Sequence, residues 1–303
     1  MRVLLVKLSS LGDVIHNLPV VSDICLHRPD IDIDWVTEAP YAGLVALHPG
    51  VRQVLPIRLR ALKKNWWRPA SWSAFLHDRQ ALAGQRYDRV IDTQGLVKSA
   101  WVARAAAAPI AGFSPDTVRE PWATHFYQEM YTVSRQQHAV VRNRQLAAQA
   151  LGYELNEAVD YGIKAPALPL PWLTSAAYVV LLPATSRANK QWPVTAWIEL
   201  AKRHYQRGLT VVIPWGNAAE KATSETIAAA SSQAVVPPAL SLVEAAALLA
   251  GAQAVVGVDT GLAHLAVALN RPTVGIYLTT QPKLTGLYGG ERAINLGGGS
   301  QEA

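Results

Sequence analysis

Cysteine is almost missing from this chain, whose 303 residues include one, Cys25. An internal disulfide is therefore excluded, and with no CxxC and no clustered Cys and His there is no structural zinc signature; a reducing compartment fits. Cys25 lies between Ile24 and Leu26 in a helical pattern and reads as a packing thiol rather than a nucleophile. No apolar run reaches the roughly 18 residues that a membrane-crossing helix needs, so the expectation is a soluble protein that can still rest on a lipid surface. The opening MRVLLVKLSS makes a poor secretory signal, because Lys7 interrupts its apolar stretch and no small-residue cleavage site follows. No GxxxxGK[ST] loop is present and no GxGxxG follows the first apolar run, which removes two common nucleotide-binding fingerprints. Acids are absent from Ala39 to His77, where Arg52, Arg58, Arg60, Lys63, Lys64 and Arg68 are interleaved with Trp66, Trp67 and Trp72. Such a patch suits a membrane interface, a phosphorylated lipid headgroup or stacked nucleotides, against the plainer reading of a solvated loop.

Hydrophobic residues make up 50% of the chain, enough for more than one core, and its length favours two domains of about 150 residues. With 28 Lys and Arg against 22 Asp and Glu the formal charge is +6, which suits an anionic partner without choosing among them. The first half alternates strand-like and helix-like pieces: strands at 3–6, 31–37 and 87–93, helical patterns at 14–26 and 95–107. Pro19 falls inside the first helical pattern, so that helix is kinked or starts later. KAPALPLPW at 164–172 holds three prolines and predicts a linker between an N-terminal unit over 1–165 and a C-terminal unit over 173–303. The rhythm then resumes with strands at 178–183 and 209–214, Pro193 opening a helix between them, and a Ser241 to Glu244 capping box before a helix ending near Gly251. The fold class is α/β, two halves with parallel sheets and a cleft between them. Ligands in such sheets bind beyond the carboxyl ends of the strands, so the loops after 7, 93, 183, 214 and 258 are the candidates for chemistry.

The most informative stretch is QAVVGVDTGLAHLAVALN at 253–270, a strand running into an acidic loop, a glycine and a helix. Amides of Thr260, Gly261 and Leu262 at that helix start can hold a phosphate. Asp259 then caps the helix or accepts from sugar hydroxyls. LSSLGDVIHNLP puts Ser9, Ser10, Gly12 and Asp13 at a strand-to-helix junction, with Asp13 either a general base or a plain N-cap. ATSRANKQWP offers Thr185, Ser186, Arg187 and Lys190, a set able to neutralise a diphosphate leaving group or simply an exposed basic loop. Glu220 suits either the hydroxyls of a ribose or the favourable field of a helix start. Asp32-Ile33-Asp34 spells a DxD metal pattern, but it precedes a strand, where acids are common, and is set aside.

VLLVKLSSLGDVIHNLP, DTQGLVKSA, GFSPDTVREPWATHFYQEMY, the TSRANKQWP loop and VGVDTGLAHLA, in this order, closely resemble the lipopolysaccharide heptosyltransferases of glycosyltransferase family 9, most of all those that add the first heptose. The match spans nearly the whole chain. The resemblance implies two Rossmann-like domains facing across a cleft in the GT-B arrangement, the acceptor on the N-terminal half and the sugar nucleotide on the C-terminal half. It implies transfer of L-glycero-D-manno-heptose from ADP-heptose to the first Kdo of Kdo2-lipid A, with inversion, at the cytoplasmic face of the inner membrane as a peripheral protein. By matching motif, Asp13 would be the general base, and Thr185, Ser186 and Lys190 would hold the diphosphate with the amides at Thr260 and Gly261. Asp259 and His264 would face the heptose and Glu220 the ribose, while Arg60, Lys63, Lys64, Lys98 and Arg119 would meet the anionic acceptor. No metal, no other cofactor and no nucleic acid is implied. GT-B proteins usually close with a helix packed on the first domain, whereas this chain ends in LGGGSQEA soon after a strand-like segment, so that helix is expected to be short or missing. Rival readings are an enzyme adding a later heptose, a nucleotide-dependent oxidoreductase, against which the absent dinucleotide fingerprint counts, and a nucleic-acid binder using the 52–68 patch.

Overall fold

The structure, a computed structural model, describes residues 1–156, 158–185, 191–231 and 234–298. It divides into two compact units, Met1–Ile163 and Lys164–Ala303.

In the first unit the strands are β1 (Arg2–Val6), β2 (Asp32–Glu38), β3 (Val51–Ile57), β4 (Arg89–Asp92), β5 (Ile110–Phe113) and β6 (Glu129–Tyr131). They form one parallel sheet in the order β3-β2-β1-β4-β5-β6. β1 is central and buried along Val3, Leu4, Leu5 and Val6, which is why it reads as a continuous apolar run rather than an alternating one. β3 lies at the sheet edge, where Pro56 inside it removes no needed ladder bond.

The second unit repeats the plan with β7 (Tyr178–Leu182), β8 (Thr210–Val212), β9 (Ala234–Val235), β10 (Ala254–Val258), β11 (Thr273–Tyr277) and β12 (Ala293–Gly297), in the order β12-β11-β10-β7-β8-β9. Counted from the first strand of each unit, both orders are 3-2-1-4-5-6. Each sheet therefore reverses direction of growth at one point, between β1 and β4 in the first and between β7 and β10 in the second, and such a switch point leaves a crevice at the strands' carboxyl ends. Val179, Leu181, Trp197, Val211, Ile213, Ile227 and Val258 form a buried cluster in the second unit. Trp197 comes from the helix Val194–Gln206, whose N-cap is Pro193, one position earlier than expected.

Several expectations need correcting. The helical pattern at 14–26 is two helices, Leu11–Ile15 and Leu18–His27, with Pro19 in the first turn of the second, where its missing N–H costs nothing. The acid-free stretch is not a loop: it contains β3 and the helices Leu59–Lys64 and Pro69–Ala83. Cys25 is exposed, although burial of part of its surroundings pushes its thiol pKa up. Asp34 of the DxD pattern lies within β2 rather than ahead of it and is fully buried. Its Oδ2 accepts from Arg2 at 2.6 Å, Arg52 at 2.6 Å and the Tyr87 hydroxyl at 2.9 Å, an engaged structural carboxylate. The strand-like segment before the C-terminal glycines is β12, which pairs with β11 from Thr273/Ala293 to Tyr277/Gly297. The capping box of the helix Leu242–Gly251 is as expected, with Ser241 N donating to Glu244 at 2.7 Å and Glu244 N to Ser241 Oγ at 3.2 Å. Among the described residues, no helix is long and apolar enough to cross a membrane.

Candidate active site

In the first unit the loops after β1 and β4 flank the switch point and are tied together by side chains, chiefly that of Gln94. Gln94 Oε1 accepts from Leu8 N at 2.7 Å and Ser9 N at 3.1 Å, and its amide donates back to the Ser9 carbonyl. Gln94 is itself held from β4, whose last residue, Asp92, accepts from Gln94 N at 2.9 Å, Ser99 Oγ at 2.8 Å and Tyr127 Oη at 2.8 Å. Complete burial pushes the Asp92 carboxyl up, and these four-sided hydrogen bonds, including Gly95 N at 3.3 Å, work against that rise.

The short helix after this loop starts on Ser10 as N-cap, not Asp13. Asp13 is the third helical residue, half-buried, and its Oδ2 accepts from Ser10 N at 2.8 Å and Ser10 Oγ at 3.1 Å. One face of the carboxylate thus fixes the helix start, while the side chain also lines a small cavity of about 70 Å³ with Lys7, Thr93, Arg119, Arg142 and Asn143. The cavity holds three cations against one acid. Lys7 is buried, with Nζ donating to the Thr93 carbonyl at 2.6 Å and to Asn143 Oδ1 at 3.2 Å. Desolvation lowers its pKa to about 8, Asp13 and Asp92 resist the fall, and Arg142 and Arg119 add to it. Arg142 lies over the Phe113 ring at 4.7 Å and donates to the Thr117 carbonyl at 2.6 Å.

The other residues expected on the acceptor side gather close by. Ser9 is buried and its Oγ accepts from Lys98 Nζ at 3.3 Å. Burial lowers the Lys98 pKa, with Arg60 and Lys63 pressing the same way and Glu38 and Glu120 opposing, so these groups share one field. Arg60 donates its backbone N–H to Glu38 at 3.0 Å and its guanidinium to Tyr41 Oη at 2.7 Å. Burial pushes the Glu38 carboxyl up despite those contacts. Lys63 and Lys64 are exposed at the end of their helix. The structure thus brings together Ser9, Ser10, Gly12, Asp13, Lys98 and Arg60 around the crest of β1, with Arg119 on the Asp13 cavity.

In the second unit the loops after β7 and β10 flank the equivalent switch point. Thr185 Oγ1 donates to the Asp259 carbonyl at 3.2 Å. Asp259 is not the N-cap of the helix Gly261–Ala268; Thr260 is. The Asp259 carboxylate instead accepts from Thr280 Oγ1 at 2.7 Å and lies 3.9 Å from His264 Nε2, a buried imidazole on the same helix. Amides of Gly261 and Leu262 occupy the first turn, where a helix offers no internal acceptor. Thr185 also lines a cavity of about 280 Å³ with Trp192, Trp197, Asn217, Glu220 and Thr223. Glu220 sits in the first turn of the helix Ala218–Ala230, and its carboxylate accepts from Gly216 N at 2.7 Å and Asn217 Nδ2 at 2.7 Å. Ser186, Arg187 and Lys190 lie outside the described residues.

Sequence reasoning missed Lys7, Thr93, Gln94, Arg142 and Asn143 as site residues. Lys7 carried a usable signal, a lysine ending an otherwise apolar central strand. Asn143 and Arg142 carried none, since they arrive from a helix more than 130 residues away in the chain. Among the described residues no group of three His, Cys, Asp or Glu side chains is arranged to hold a metal.

The family model for glycosyltransferase family 9 (heptosyltransferase) matches residues 76–303. Lipopolysaccharide heptosyltransferase 1 of Pseudomonas aeruginosa is 48% identical over 298 residues, covering 95% of this chain and 82% of the relative. Among solved structures, the E. coli heptosyltransferase WaaC with ADP superposes with a TM-score of 0.90 at 40% identity, covering 97% of this chain and 92% of that one. The same enzyme with ADP-2-deoxy-2-fluoro heptose gives a TM-score of 0.86 at 38% identity, with coverages of 97% and 92%. On the family model and on relatives that match over nearly its full length, the chain belongs to glycosyltransferase family 9, the heptosyltransferases.

Proposed function

We propose that this protein moves L-glycero-D-manno-heptose from ADP-heptose to the first Kdo of Kdo2-lipid A, in the inner core of lipopolysaccharide, working as a peripheral protein at the cytoplasmic face of the inner membrane. The observation that carries the reading is the pairing of one half-buried carboxylate, Asp13, with a ring of cations at the first unit's switch point. A phosphorylated, carboxylated acceptor is held by positive charge, and its attacking hydroxyl needs a single proton acceptor within hydrogen-bond reach. The solved relative with a fluorinated ADP-heptose supports the donor.

In the mechanism, Asp13 takes the proton as the acceptor oxygen bonds to the anomeric carbon, and the bond from that carbon to the diphosphate breaks on the opposite face, so configuration inverts. Ser10 holds the carboxylate through Oδ2, which leaves Oδ1 for the proton. Ser9, Ser10, Gly12, Arg60, Lys63, Lys64, Lys98 and Arg119 bind the acceptor. On the donor side, Thr185, Ser186 and Lys190 with the amides of Thr260, Gly261 and Leu262 take the charge that develops on the diphosphate, as fixed donors do best where water is excluded. Positive charge grows on the sugar ring in an oxocarbenium-like transition state, and Asp259, steadied by Thr280 and His264, offsets it. Glu220 accepts from the ribose hydroxyls. No step is routed through a metal, and ADP leaves on protein cations and amides.

Incubation with ADP-heptose and either Kdo2-lipid A or an already heptosylated acceptor, followed by mass measurement, tests the assignment. One heptose added to Kdo2-lipid A is expected. Addition confined to the heptosylated acceptor would make this an enzyme of a later step.

A further inference from the structure

The helix Pro69–Ala83 is fixed from one side only. Phe75 and Leu82 are buried, with Phe75 stacked on Trp101 at 5.3 Å, and they fasten the helix to the first unit. The flanking face presents Trp72 and Leu76, each 47% exposed and four residues apart, hence side by side. Trp66 and Trp67, in the turn just before the helix, are 65% and 62% exposed and meet edge to face at 6.3 Å. The Trp72 indole donates to the Trp66 carbonyl at 2.7 Å, which binds the turn to the helix and lines one shared groove with Pro69, Leu76 and His77. Four large apolar side chains standing together in water is a cost that isolated exposed residues do not carry.

The charges around this face are of one sign. Lys63, Lys64 and Arg68 are exposed beside it, and the acid-free stretch contributes no carboxylate. The acids that bound the stretch are both engaged, Glu38 with the backbone of Arg60 and Asp78 with the guanidinium and backbone N–H of Arg58. Neither the stretch nor the acids that bound it therefore offers an open carboxylate against an anionic partner. Indoles settle at the boundary between headgroups and acyl chains, and lysine and arginine stems reach from there to lipid phosphates.

We propose that the turn and helix over 65–83 form the docking face for an anionic phospholipid bilayer, with Trp66, Trp67, Trp72 and Leu76 entering the interface and Arg68 on the headgroups. This deepens the peripheral-membrane part of the function proposed above by naming the element that makes contact, and it rests on that part alone. Docking is to the bulk bilayer, so it requires neither acceptor nor nucleotide.

The test is co-sedimentation of the full chain with vesicles of phosphatidylethanolamine and phosphatidylglycerol, without acceptor or ADP-heptose. The W66S/W67S double variant removes two highly exposed side chains with no buried contact to lose. It should partition at least about tenfold more weakly, as expected for two indoles withdrawn from an interface. Wild-type binding should fall with added salt and be much weaker on pure phosphatidylcholine vesicles. Turnover on a deacylated, soluble acceptor should be unchanged in the variant. Unchanged partition of the variant would overturn the proposal, as would equal binding to phosphatidylcholine. A wild-type dimer that the double variant abolishes would give the face to a second copy, and lost turnover on the soluble acceptor would give it to substrate binding. Because the vesicles hold no acceptor, failure of the heptosyl-transfer reading would leave the sedimentation result standing, and the reverse.

Discussion

Replacing Asp13 by Asn separates its two duties. The carboxylate accepts from Ser10 N and Oγ and so anchors the start of the helix Leu11–Ile15. An Asn carbonyl oxygen can still accept from Ser10, so the fold loses only the charge at a helix start, about 0.3–1 kcal/mol. Asn cannot take a proton from a hydroxyl. Loss of general-base assistance is worth about 100- to 10,000-fold in rate, or roughly 3–5.5 kcal/mol of barrier. The kinetic effect thus exceeds the stability effect severalfold, and the two are measured separately: turnover by a coupled ADP-release assay on a soluble acceptor, folding by urea denaturation, and ADP affinity by calorimetry. The expected outcome is a turnover loss of 100-fold or more, with ADP binding intact because the groups proposed to hold the nucleotide lie on the other unit. Turnover within about threefold of wild type would remove Asp13 from the reaction.

Two further perturbations test the frame of the site. Lys7 titrates near 8 in the fold instead of its ordinary 10.5, so between those values the unfolded chain holds a proton that the native one has released, and stability rises with pH across that window. Lys7→Met should flatten this rise by up to about 3 kcal/mol, read as the difference in pH dependence of the urea midpoint; identical slopes would refute it. Arg144 grips Asp23 at 2.7 and 2.9 Å with both groups buried, and it donates as well to the carbonyls of Asn156 and Ala158. Arg144→Ala strands a buried carboxylate and should cost about 3–5 kcal/mol of unfolding free energy; a loss below about 1 kcal/mol would show that water reaches Asp23.

The parts of the fold legible in the sequence were those where burial is two-sided. β1, β7 and β10 are central strands, and their apolar runs stand out against any background. β3 escaped because an edge strand keeps one face in water, so Arg52, Gln53 and Pro56 interrupt its pattern, and β9 is two residues long. β12 showed only as a short strand-like segment for the same reason of position, with most of its residues exposed. Capping chemistry was legible where the pattern is local, as at Ser241 and Glu244, and misread where two candidates compete. Ser10 precedes Asp13 by three residues, the spacing at which the serine caps and the acid reaches back. The loops after 7, 93, 183 and 258 follow the four strands that flank the two switch points, because strand order dictates where a crevice opens. What fills a crevice from elsewhere in the chain, such as Arg142 and Asn143, is set by packing of the helix Ala139–Leu151 and has no local signature.

The duplicated strand order has an evolutionary corollary. Among the described residues, each half fastens its own pair of crest loops from within, Gln94 across the backbone of 8 and 9 and Lys7 onto the Thr93 carbonyl in one, Thr185 on the backbone of 259 in the other. None of these ties borrows an atom from the opposite half. Changes that retune one crevice can therefore accumulate without disturbing its counterpart, and under the proposed division of acceptor and donor between the halves, descendants of such a chain can trade acceptors while keeping the same activated sugar.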